Sequence, residues 1–364
     1  MNKIRVGLLF GGKSAEHEVS LQSAKNVYAA LDRERYDVVL IGIDKSGRWH
    51  WYGDSMNLLN EDDPKHISLG PGGKPLAVVP GAGTCQLITL DGKDIGPIDV
   101  IFPVLHGPFG EDGTVQGLLK LANIPFVGAG VVGSAAGMDK DVMKRLLRAD
   151  NIPIGDFLIY TYADKDKIEY DTVVERLGSP VFVKPANMGS SVGISKVYNA
   201  DELKKALDLA FQYDTKIIIE ENIKGREIEC SVLGNEEPVA SLPGEILPQA
   251  DFYSYEAKYI DEKGAILEYP AKLPEEKIKE IQDLSIRAFR SLCCEGMARV
   301  DFFLKENGEV LVNEINTLPG FTRISMYPKL WEVSGIPYGK LIDRLIELAL
   351  DKFRREQALK LDFE

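Results

Sequence analysis

The chain has 364 residues and a formal net charge of −13, and 45% of its residues are hydrophobic. The acidic balance argues against a nucleic-acid-binding protein, because such proteins usually present a basic face to phosphates. The N-terminus lacks the pattern of a signal peptide and no run reaches about 18 apolar residues, so we expect a cytoplasmic protein without a membrane contact. Its four cysteines show no metal-ligand spacing, and the length suggests roughly two to three domains.

The chain opens with a predicted strand, IRVGLLF, then a helix that begins near Glu16 and a second strand, YDVVLIGID, which together indicate a βαβ unit. The turn after the first strand lies in GLLFGGKS, residues 7–14, which matches the P-loop pattern G-x-x-x-x-G-K-S/T. In a P-loop the strand ends before the first glycine, so that the next backbone N–H groups can surround phosphates. Gly7 lies inside the predicted strand, and we therefore interpret GGKS as a strand-to-helix turn that does not serve ATP.

Residues 53–98 contain many Gly, Pro and Asp residues, and we interpret them as a loop-rich insertion. They precede a strand, IDVIFPVLHG, a helix, GTVQGLLKLAN, and a short strand, IPFVG. GAGVVG, residues 128–133, then matches the dinucleotide pattern G-x-G-x-x-G and precedes the helix DKDVMKRLLRA. A dinucleotide site also needs an acidic residue at the end of a second strand about 20 positions later. Asp150 directly follows the helix, so we interpret these glycines as a flexible domain boundary.

Predicted helices and strands alternate between residues 139 and 220, where PVFVKPA and TKIIIEE are apolar strands. A polar stretch extends to residue 264 and a helix is predicted near 275–292. The chain then continues with the strands MARVDFFL and EVLVNEIN and a terminal helix, YGKLIDRLIELALDKFRRE.

The two strands near the C-terminus enclose Asn307-Gly308, a strong signal for a two-residue hairpin turn. With that turn, Asp301 lies opposite Glu314 and Arg299 lies opposite Asn316, on one face of the hairpin because strand side chains alternate. Two facing carboxylates destabilise a hairpin unless something compensates for their charge. A divalent cation fits best, since Mg²⁺ prefers oxygen ligands from Asp, Glu and Asn, whereas the alternative is a solvated acidic face.

A second group of candidate residues lies in FVKPANMGSSVGISKV, residues 182–197, where a glycine- and serine-rich loop follows Lys184. A lysine, backbone N–H donors and small residues suit a polyphosphate, although an ordinary glycine turn with a surface lysine fits the pattern equally well. Lys140 is a second candidate cation. Glu220 ends an apolar strand and Glu227 follows it, a pattern that allows either a site for adenine and ribose or two solvated carboxylates.

These features together resemble the ATP-grasp fold. Longer motifs narrow the resemblance to the D-alanine–D-alanine ligase family: GGKSAEHEVSL, HGPFGEDGT, VKPANMGSSVGIS, FYSYEAKY, GMARVDFF and NEINTLPGFT. The match runs in order from near residue 4 to beyond residue 345. It implies an α/β (α+β) chain with an N-terminal open parallel α/β domain, 1–128, before an ATP-grasp fold formed by a central domain, 129–221, and a C-terminal domain, 222–364.

The resemblance also implies an activity and its residues. The enzyme would join two D-alanines with ATP, through an acyl phosphate, for peptidoglycan precursors, and would be a homodimer with two Mg²⁺ ions that Mn²⁺ can replace. ATP would be bound by Lys140, Lys184, Ser191, Glu220, Glu221, Asn222, Glu227 and Lys258. The metal ligands would be Asp301, Glu314 and Asn316. Substrate-binding and catalytic residues would be Glu16, His106, Ser190, Tyr259, Arg299, Gly320, Ser325 and Met326.

Within that set, Glu16 would hold the ammonium of the first D-alanine in a network with Ser190 and Tyr259 that His106 helps to align. Arg299 and the Gly320 N–H would stabilise the oxyanion. Ser325 and the Met326 N–H would bind the second carboxylate, and Lys258 would reach the transferring phosphate.

Two alternatives stay open at this point. A D-alanine–D-lactate or D-alanine–D-serine ligase is of the same class, although Tyr259 and its YSYEAKY loop favour the dipeptide. A non-catalytic α/β ligand-binding protein would need no ATP–Mg²⁺ residues, and the set formed by Lys184, Arg299, Asp301 and Glu314 argues against it.

Overall fold

The computed structural model describes residues 3–81, 83–248 and 265–360. The strands of these ranges form three large sheets and one two-stranded ladder. None of the helices in these ranges is both long enough and apolar enough to cross a membrane.

The N-terminal sheet contains the predicted βαβ unit. Its elements in chain order are β1 (Ile4–Gly11), α1 (His17–Ala30), β2 (Tyr36–Ile43), β3 (Trp49–Gly53), β4 (Leu58–Leu59), β5 (Ser68–Leu69), β6 (Lys74–Val78), β7 (Leu87–Thr89), β8 (Val100–Val104) and α2 (Thr114–Leu121). β1 is parallel to both β2 and β8. Gly7 lies inside β1, where an added Cβ would come within 2.4 Å of the Ile101 side chain. It is therefore a packing glycine, and the strand continues past it as the sequence predicts.

The interpretation of residues 53–98 as a loop-rich insertion is wrong in part. β6 and β7 extend the sheet in antiparallel fashion from β3, and β4 pairs with β5. The sheet is thus parallel only across β2, β1 and β8, in the order β7-β6-β3-β2-β1-β8. These added strands are two to five residues long, too short for a period of two to stand out among the glycines and prolines.

Close packing accounts for Gly133, the last glycine of residues 128–133. The segment leads into α3 (Val131–Met138), and the short strand predicted before it is reduced to a single bridge between Ile101 and Phe126. A Cβ at Gly133 would lie 2.7 Å from the carbonyl oxygen of Cys293. The glycine therefore lets this helix approach the backbone of the C-terminal part.

Gly133→Ala is expected to lower the free energy of unfolding by about 1–3 kcal/mol, because the added Cβ meets a backbone that cannot rotate away. Gly117 in α2 is a matched control, since its Cβ position has no atom within 4 Å. Gly117→Ala should instead stabilise the protein by about 0.5–1 kcal/mol. Chemical unfolding of both variants measures the difference, and equal stabilities would contradict the packing explanation.

The central sheet is antiparallel and has the order β11-β10-β12-β9. Its elements are α4 (Lys140–Ala149), β9 (Phe157–Thr161), a 3₁₀ turn (Tyr162–Lys167), α5 (Tyr170–Leu177), β10 (Val181–Pro185), β11 (Ser195–Val197), α6 (Ala200–Ala210) and β12 (Lys216–Glu221). Val181 and Val183 of β10 pack into the core beneath α5 and α6. Because side chains alternate along a strand, Phe182 and Lys184 face the other way.

The C-terminal sheet has the order β16-β15-β13-β17-β18, with β14 paired to β13. Its elements are β13 (Arg226–Gly234), β14 (Val239–Ala240), β15 (Gly244–Pro248), β16 (Ala265–Glu268), α7 (Glu275–Ser291), β17 (Gly296–Leu304), β18 (Val310–Asn316), α8 (Met326–Val333) and α9 (Tyr338–Gln357). α7 covers one face. α9 packs against the N-terminal sheet, where Tyr36 donates a 2.9 Å hydrogen bond to Asp343. The C-terminal helix α9 thus packs against the N-terminal sheet and connects the two terminal parts of the chain.

Candidate active site

Two adjoining cavities lie where the three sheets meet, a larger one of about 440 Å³ and a smaller one of about 230 Å³. Both are lined by Gly189, Ser190, Glu227, Asn313 and Glu314, so they form one cleft. Other predicted residues that line the larger cavity are Glu16, His106, Arg299, Asp301, Asn316, Gly320, Ser325 and Met326. Those that line the smaller cavity are Lys140, Lys184, Ser191, Glu220, Glu221 and Asn222. Lys258 and Tyr259 lie outside the described residues.

Lys13 of the GGKS turn does not line either cavity. Its side chain is exposed, and its Nζ atom lies 5.8 Å from the centre of the Phe109 ring. Residues 7–14 therefore match the P-loop pattern in sequence but not in structure.

The hairpin of β17 and β18 has the predicted pairs but not the predicted turn. Arg299 pairs with Asn316 and Asp301 pairs with Glu314, as expected. Lys305 N donates to Glu309 O, however, so the loop has three residues, and Gly308 takes a left-handed φ of 85°. A bulge between Asp301 and Phe302 restores the register, because Phe302 pairs with Val312 and leaves Asn313 as the extra residue.

Asp301 is held by donors on both sides. The Arg299 Nε and Nη2 atoms donate to its two oxygens, each at 2.7 Å, and Asn316 Nδ2 donates at 3.0 Å. Arg299 also pairs with the buried Glu229, 3.0 Å away on β13, a residue that the sequence analysis missed. On the facing strand, Glu314 lies 3.8 Å from Lys140. Arg299 and Lys140 already offset the negative charge of Asp301 and Glu314. The argument for a metal ion therefore rests on the oxygen ligands that the hairpin offers.

A buried cluster of two lysines and one glutamate forms the floor of the smaller cavity. Lys184 Nζ lies 2.5 Å from one oxygen of Glu220, and Lys144 Nζ lies 2.7 Å from the other. Burial alone would raise the pKa of Glu220, but the two ammonium groups hold it well below its usual range. Burial would likewise lower the pKa of Lys184, but Glu220 and then Glu314 raise it above its usual value. Both groups are thus charged at neutral pH.

Lys144 is not among the predicted residues. It lies four residues after Lys140 on α4, a spacing that puts both side chains on the same helix face. This four-residue spacing is the sequence signal that could have identified Lys144. Lys140 itself donates a 2.7 Å hydrogen bond to the carbonyl oxygen of Met188, at the start of the glycine–serine loop.

The glycine–serine loop has an unusual backbone. Ser190 and Ser191 have φ values of 50° and 62°, and Gly193 has a φ of 70°. Successive non-glycine residues in the left-handed region cost free energy and occur where function requires the geometry. Such a loop turns backbone N–H groups toward a common point, which suits an anion.

Ser190 connects this loop to the N-terminal part. Its hydroxyl donates to Oε1 of the buried Glu16, which precedes α1. Glu111, in the HGPFGEDGT motif, lies beside Glu16 in the larger cavity and is a further residue that the sequence analysis missed. Burial and then the charge of Glu16 raise the pKa of Glu111 above its usual range. Glu16 and Glu111 therefore disfavour each other's ionised form, and a cationic group such as an ammonium would relieve that repulsion.

His106 contacts the loop after β18. Its Nδ1 atom lies 3.1 Å from the carbonyl oxygen of Leu318, and its Nε2 atom lies 3.3 Å from the hydroxyl of Ser23. Burial lowers the pKa of His106 to about 4, although the Leu318 carbonyl opposes this effect. His106 is thus neutral, and both ring nitrogens are engaged with Leu318 and Ser23 rather than with Glu16.

Gly320 lies beside the N-terminus of α8. A Cβ at Gly320 would come within 2.7 Å of the Ser325 Oγ atom, so a larger residue would displace the Ser325 hydroxyl. Ser325 precedes Met326, the first residue of α8, and its hydroxyl accepts a 3.0 Å hydrogen bond from Thr322 N. The unpaired N–H groups of a helix N-terminus favour an anion, here at the wall of the larger cavity.

Two family models match the chain: D-ala D-ala ligase N-terminus over residues 5–129 and D-ala D-ala ligase C-terminus over residues 146–347. The chain belongs to the D-alanine–D-alanine ligase family. A D-alanine–D-alanine ligase of Oceanobacillus iheyensis is 57% identical over 359 residues, which cover 98% of each chain. D-alanine–D-alanine ligase A of Escherichia coli is 56% identical over 361 residues, which cover 99% of each chain.

Solved structures of ligases have the same fold. A D-alanine–D-alanine ligase from Coxiella burnetii matches with a TM-score of 0.85 and 41% identity, covering 98% of this chain and 97% of that one. A D-Ala:D-Ser ligase from Enterococcus faecalis matches with a TM-score of 0.84 and 34% identity, covering 96% and 100%. The expected ATP-grasp fold behind an N-terminal α/β domain is confirmed. The chain is an enzyme of this family, and the alternative of a non-catalytic ligand-binding protein is wrong.

Proposed function

We propose that this cleft joins two D-alanine molecules to D-alanyl-D-alanine for peptidoglycan precursors, with conversion of ATP to ADP and phosphate. The observation that carries the proposal is the meeting of the two cavities at Ser190 and Glu314. A polyphosphate in the smaller cavity and an amino acid in the larger one would face each other there. This arrangement suits a carboxylate that attacks the γ-phosphate of ATP, after which an amine displaces phosphate from the acyl phosphate.

ATP is assigned to the smaller cavity. Lys140 and Lys184 bind its phosphates, because both line this cavity together with the glycine–serine loop, and the Ser191 backbone adds a donor. Adenine lies against Glu220, Glu221 and Asn222 at the end of β12, and Glu227 binds the ribose. Lys258, outside the described residues, is assigned to the transferring phosphate by the family motif alone.

Asp301, Glu314 and Asn316 are proposed to hold two Mg²⁺ ions, for which Mn²⁺ can substitute. The donor set supports this assignment, because two carboxylates and an amide occupy one face of the hairpin beside the phosphate-binding lysines. Among the described residues, no three His, Cys, Asp or Glu side chains form a metal-binding group by themselves. Mg²⁺ commonly combines one or two carboxylates with substrate phosphates, which agrees with this sparse set. When bound, the ions neutralise charge on the phosphate oxygens.

The larger cavity is assigned to the two D-alanines. Glu16 accepts hydrogen bonds from the first ammonium, and Ser190, which bonds to Glu16, keeps that carboxylate in place. Arg299 and the Gly320 N–H stabilise the oxyanion that forms when the second amine attacks the acyl carbon. Ser325 and the Met326 N–H bind the second carboxylate at the N-terminus of α8. Tyr259, outside the described residues, is assigned to the Glu16–Ser190 network by the family motif.

The wider organisation is also proposed. Domains at 1–128, 129–221 and 222–364 are supported by one large sheet in each range, although α9 packs back on the first. A homodimer and a cytoplasmic location rest on the family alone.

Phosphate release from ATP should require D-alanine and Mg²⁺, and mass spectrometry should detect D-alanyl-D-alanine as the main product. In competition, D-alanine is supplied with equimolar D-serine or D-lactate, and the ratio of products decides between the dipeptide and the alternatives. L-alanine is the control substrate. ATP hydrolysis without stimulation by D-alanine would contradict the proposed function, and a dominant mixed product would favour the D-serine or D-lactate alternative.

A further inference from the structure

The loop that carries Gly320 is bonded near its start, at Leu318, to the N-terminal part of the chain. Leu318 N donates to Glu111 Oε1 at 3.3 Å, and the Leu318 carbonyl accepts from His106 Nδ1 at 3.1 Å. Leu318 is buried. The position at which the chain leaves β18 is therefore set by side chains more than 200 residues earlier in the sequence.

Phe321, three residues later in the same loop, is bonded to helix α1. Phe321 N donates to Ser23 Oγ at 3.2 Å, and the Phe321 carbonyl accepts from Asn26 Nδ2 at 3.1 Å. Ser23 and Asn26 are three residues apart on α1, so they present both groups from one face of the helix. Phe321 is buried, and its ring packs edge-on to Phe102 with centroids 5.7 Å apart.

Only one orientation of the Ser23 hydroxyl satisfies the hydrogen-bonding groups of both His106 and Phe321. The Leu318 carbonyl can only accept, so His106 carries its proton on Nδ1, and Nε2 of the neutral ring is an acceptor. Ser23 therefore donates its proton to His106 Nε2, 3.3 Å away, and accepts from Phe321 N–H. Ser23 is completely buried, so water cannot replace either bond.

Between the two fixed residues lie only Pro319 and Gly320. The pyrrolidine ring restricts φ of Pro319, which leaves few ways for the Gly320 N–H to point. The bonds at Leu318 and Phe321 thus determine the direction of this donor. A donor that is correctly aimed before reaction costs no reorganisation when negative charge develops.

We propose that Ser23 is a positioning residue for the ligation. From α1 it fixes both the Phe321 N–H and the His106 ring, and so directs the Gly320 N–H to the oxyanion. The inference rests on the proposed function, because that function makes Gly320 an oxyanion donor. Ser23 touches no substrate in this scheme and acts only through the loop.

The test compares Ser23→Ala with the parent enzyme at saturating ATP, Mg²⁺ and D-alanine. We expect kcat to fall about 10- to 100-fold, the range produced by a misplaced catalytic group, while the ATP dissociation constant changes by less than about threefold. A phosphinate dipeptide, whose tetrahedral phosphorus mimics the oxyanion, should lose affinity by a factor similar to that in kcat. Asn26→Ala should produce a smaller defect, because the Tyr338 hydroxyl also donates to the Phe321 carbonyl, at 3.0 Å, and stays in place.

Ser20→Ala is the matched control. Ser20 is buried one turn earlier on α1, but its hydroxyl bonds to Gly11 and Val104 in the sheet. This variant should keep kcat within about twofold of the parent. An unchanged kcat in Ser23→Ala, or equal losses in Ser20→Ala and Ser23→Ala, would overturn the inference. A parent enzyme without D-alanine-dependent phosphate release would instead overturn the proposed function.

Discussion

The Lys184→Met variant is expected to bind ATP roughly 10- to 150-fold more weakly than the parent. The substitution removes one charge-assisted hydrogen bond to a phosphate, which contributes about 1.5–3 kcal/mol. The fold should survive, because Lys144 still pairs with the buried Glu220 at 2.7 Å after the change. Calorimetric titration with a non-hydrolysable ATP analogue and Mg²⁺ measures the dissociation constant.

Lys13→Met is the matched control for this experiment. Lys13 occupies the lysine position of the P-loop pattern, yet its exposed side chain lies over the Phe109 ring outside both cavities. Its removal should change the ATP dissociation constant by less than about twofold. If both variants lose affinity equally, the assignment of ATP to the Lys184 cavity is wrong.

The hairpin shows how far sequence patterns extend. The pairing of Asp301 with Glu314 follows from strand alternation and an Asn-Gly turn, and the structure has that pair. The turn is one residue longer than predicted, and the extra residue at Asn313 shifts the register back. The longer turn and the bulge therefore cancel, and Asp301 still lies opposite Glu314. Turn chemistry predicts where a hairpin reverses more reliably than it predicts register, because a bulge can move every later pair.

Other parts of the cleft depend on contacts that no local pattern contains. Ser23 lies in a helix, Glu111 in a loop and Glu229 in a strand. The local sequence accounts for each of these elements without reference to a functional site. Their roles come from partners that are far away in the chain, such as Phe321 for Ser23 and Arg299 for Glu229. The charge state of Glu111 likewise depends on burial and on Glu16. Only motif resemblance or the folded structure can bring such residues together.

The Glu314→Gln variant is expected to lose Mg²⁺-dependent turnover by about 100-fold or more. Glutamine keeps the shape and one oxygen but removes the charge that binds a divalent cation, and the ion contributes several kcal/mol of charge stabilisation on the phosphoryl oxygens. Circular dichroism should remain that of the parent, because Glu314 is a partly exposed strand residue and Lys140 keeps its bond to Met188.

The discriminating measurement is turnover as a function of Mg²⁺ concentration. A metal ligand predicts that the half-saturating concentration rises in Glu314→Gln together with the fall in maximal rate. Glu309→Gln is the matched control from the same hairpin, since Glu309 pairs with Lys305 at 2.9 Å, away from the cleft. It should keep the Mg²⁺ curve of the parent. If the curve of Glu314→Gln also coincides with that of the parent, the carboxylates of Asp301 and Glu314 do not share an ion, and the arginine and lysine beside them suffice to offset their repulsion.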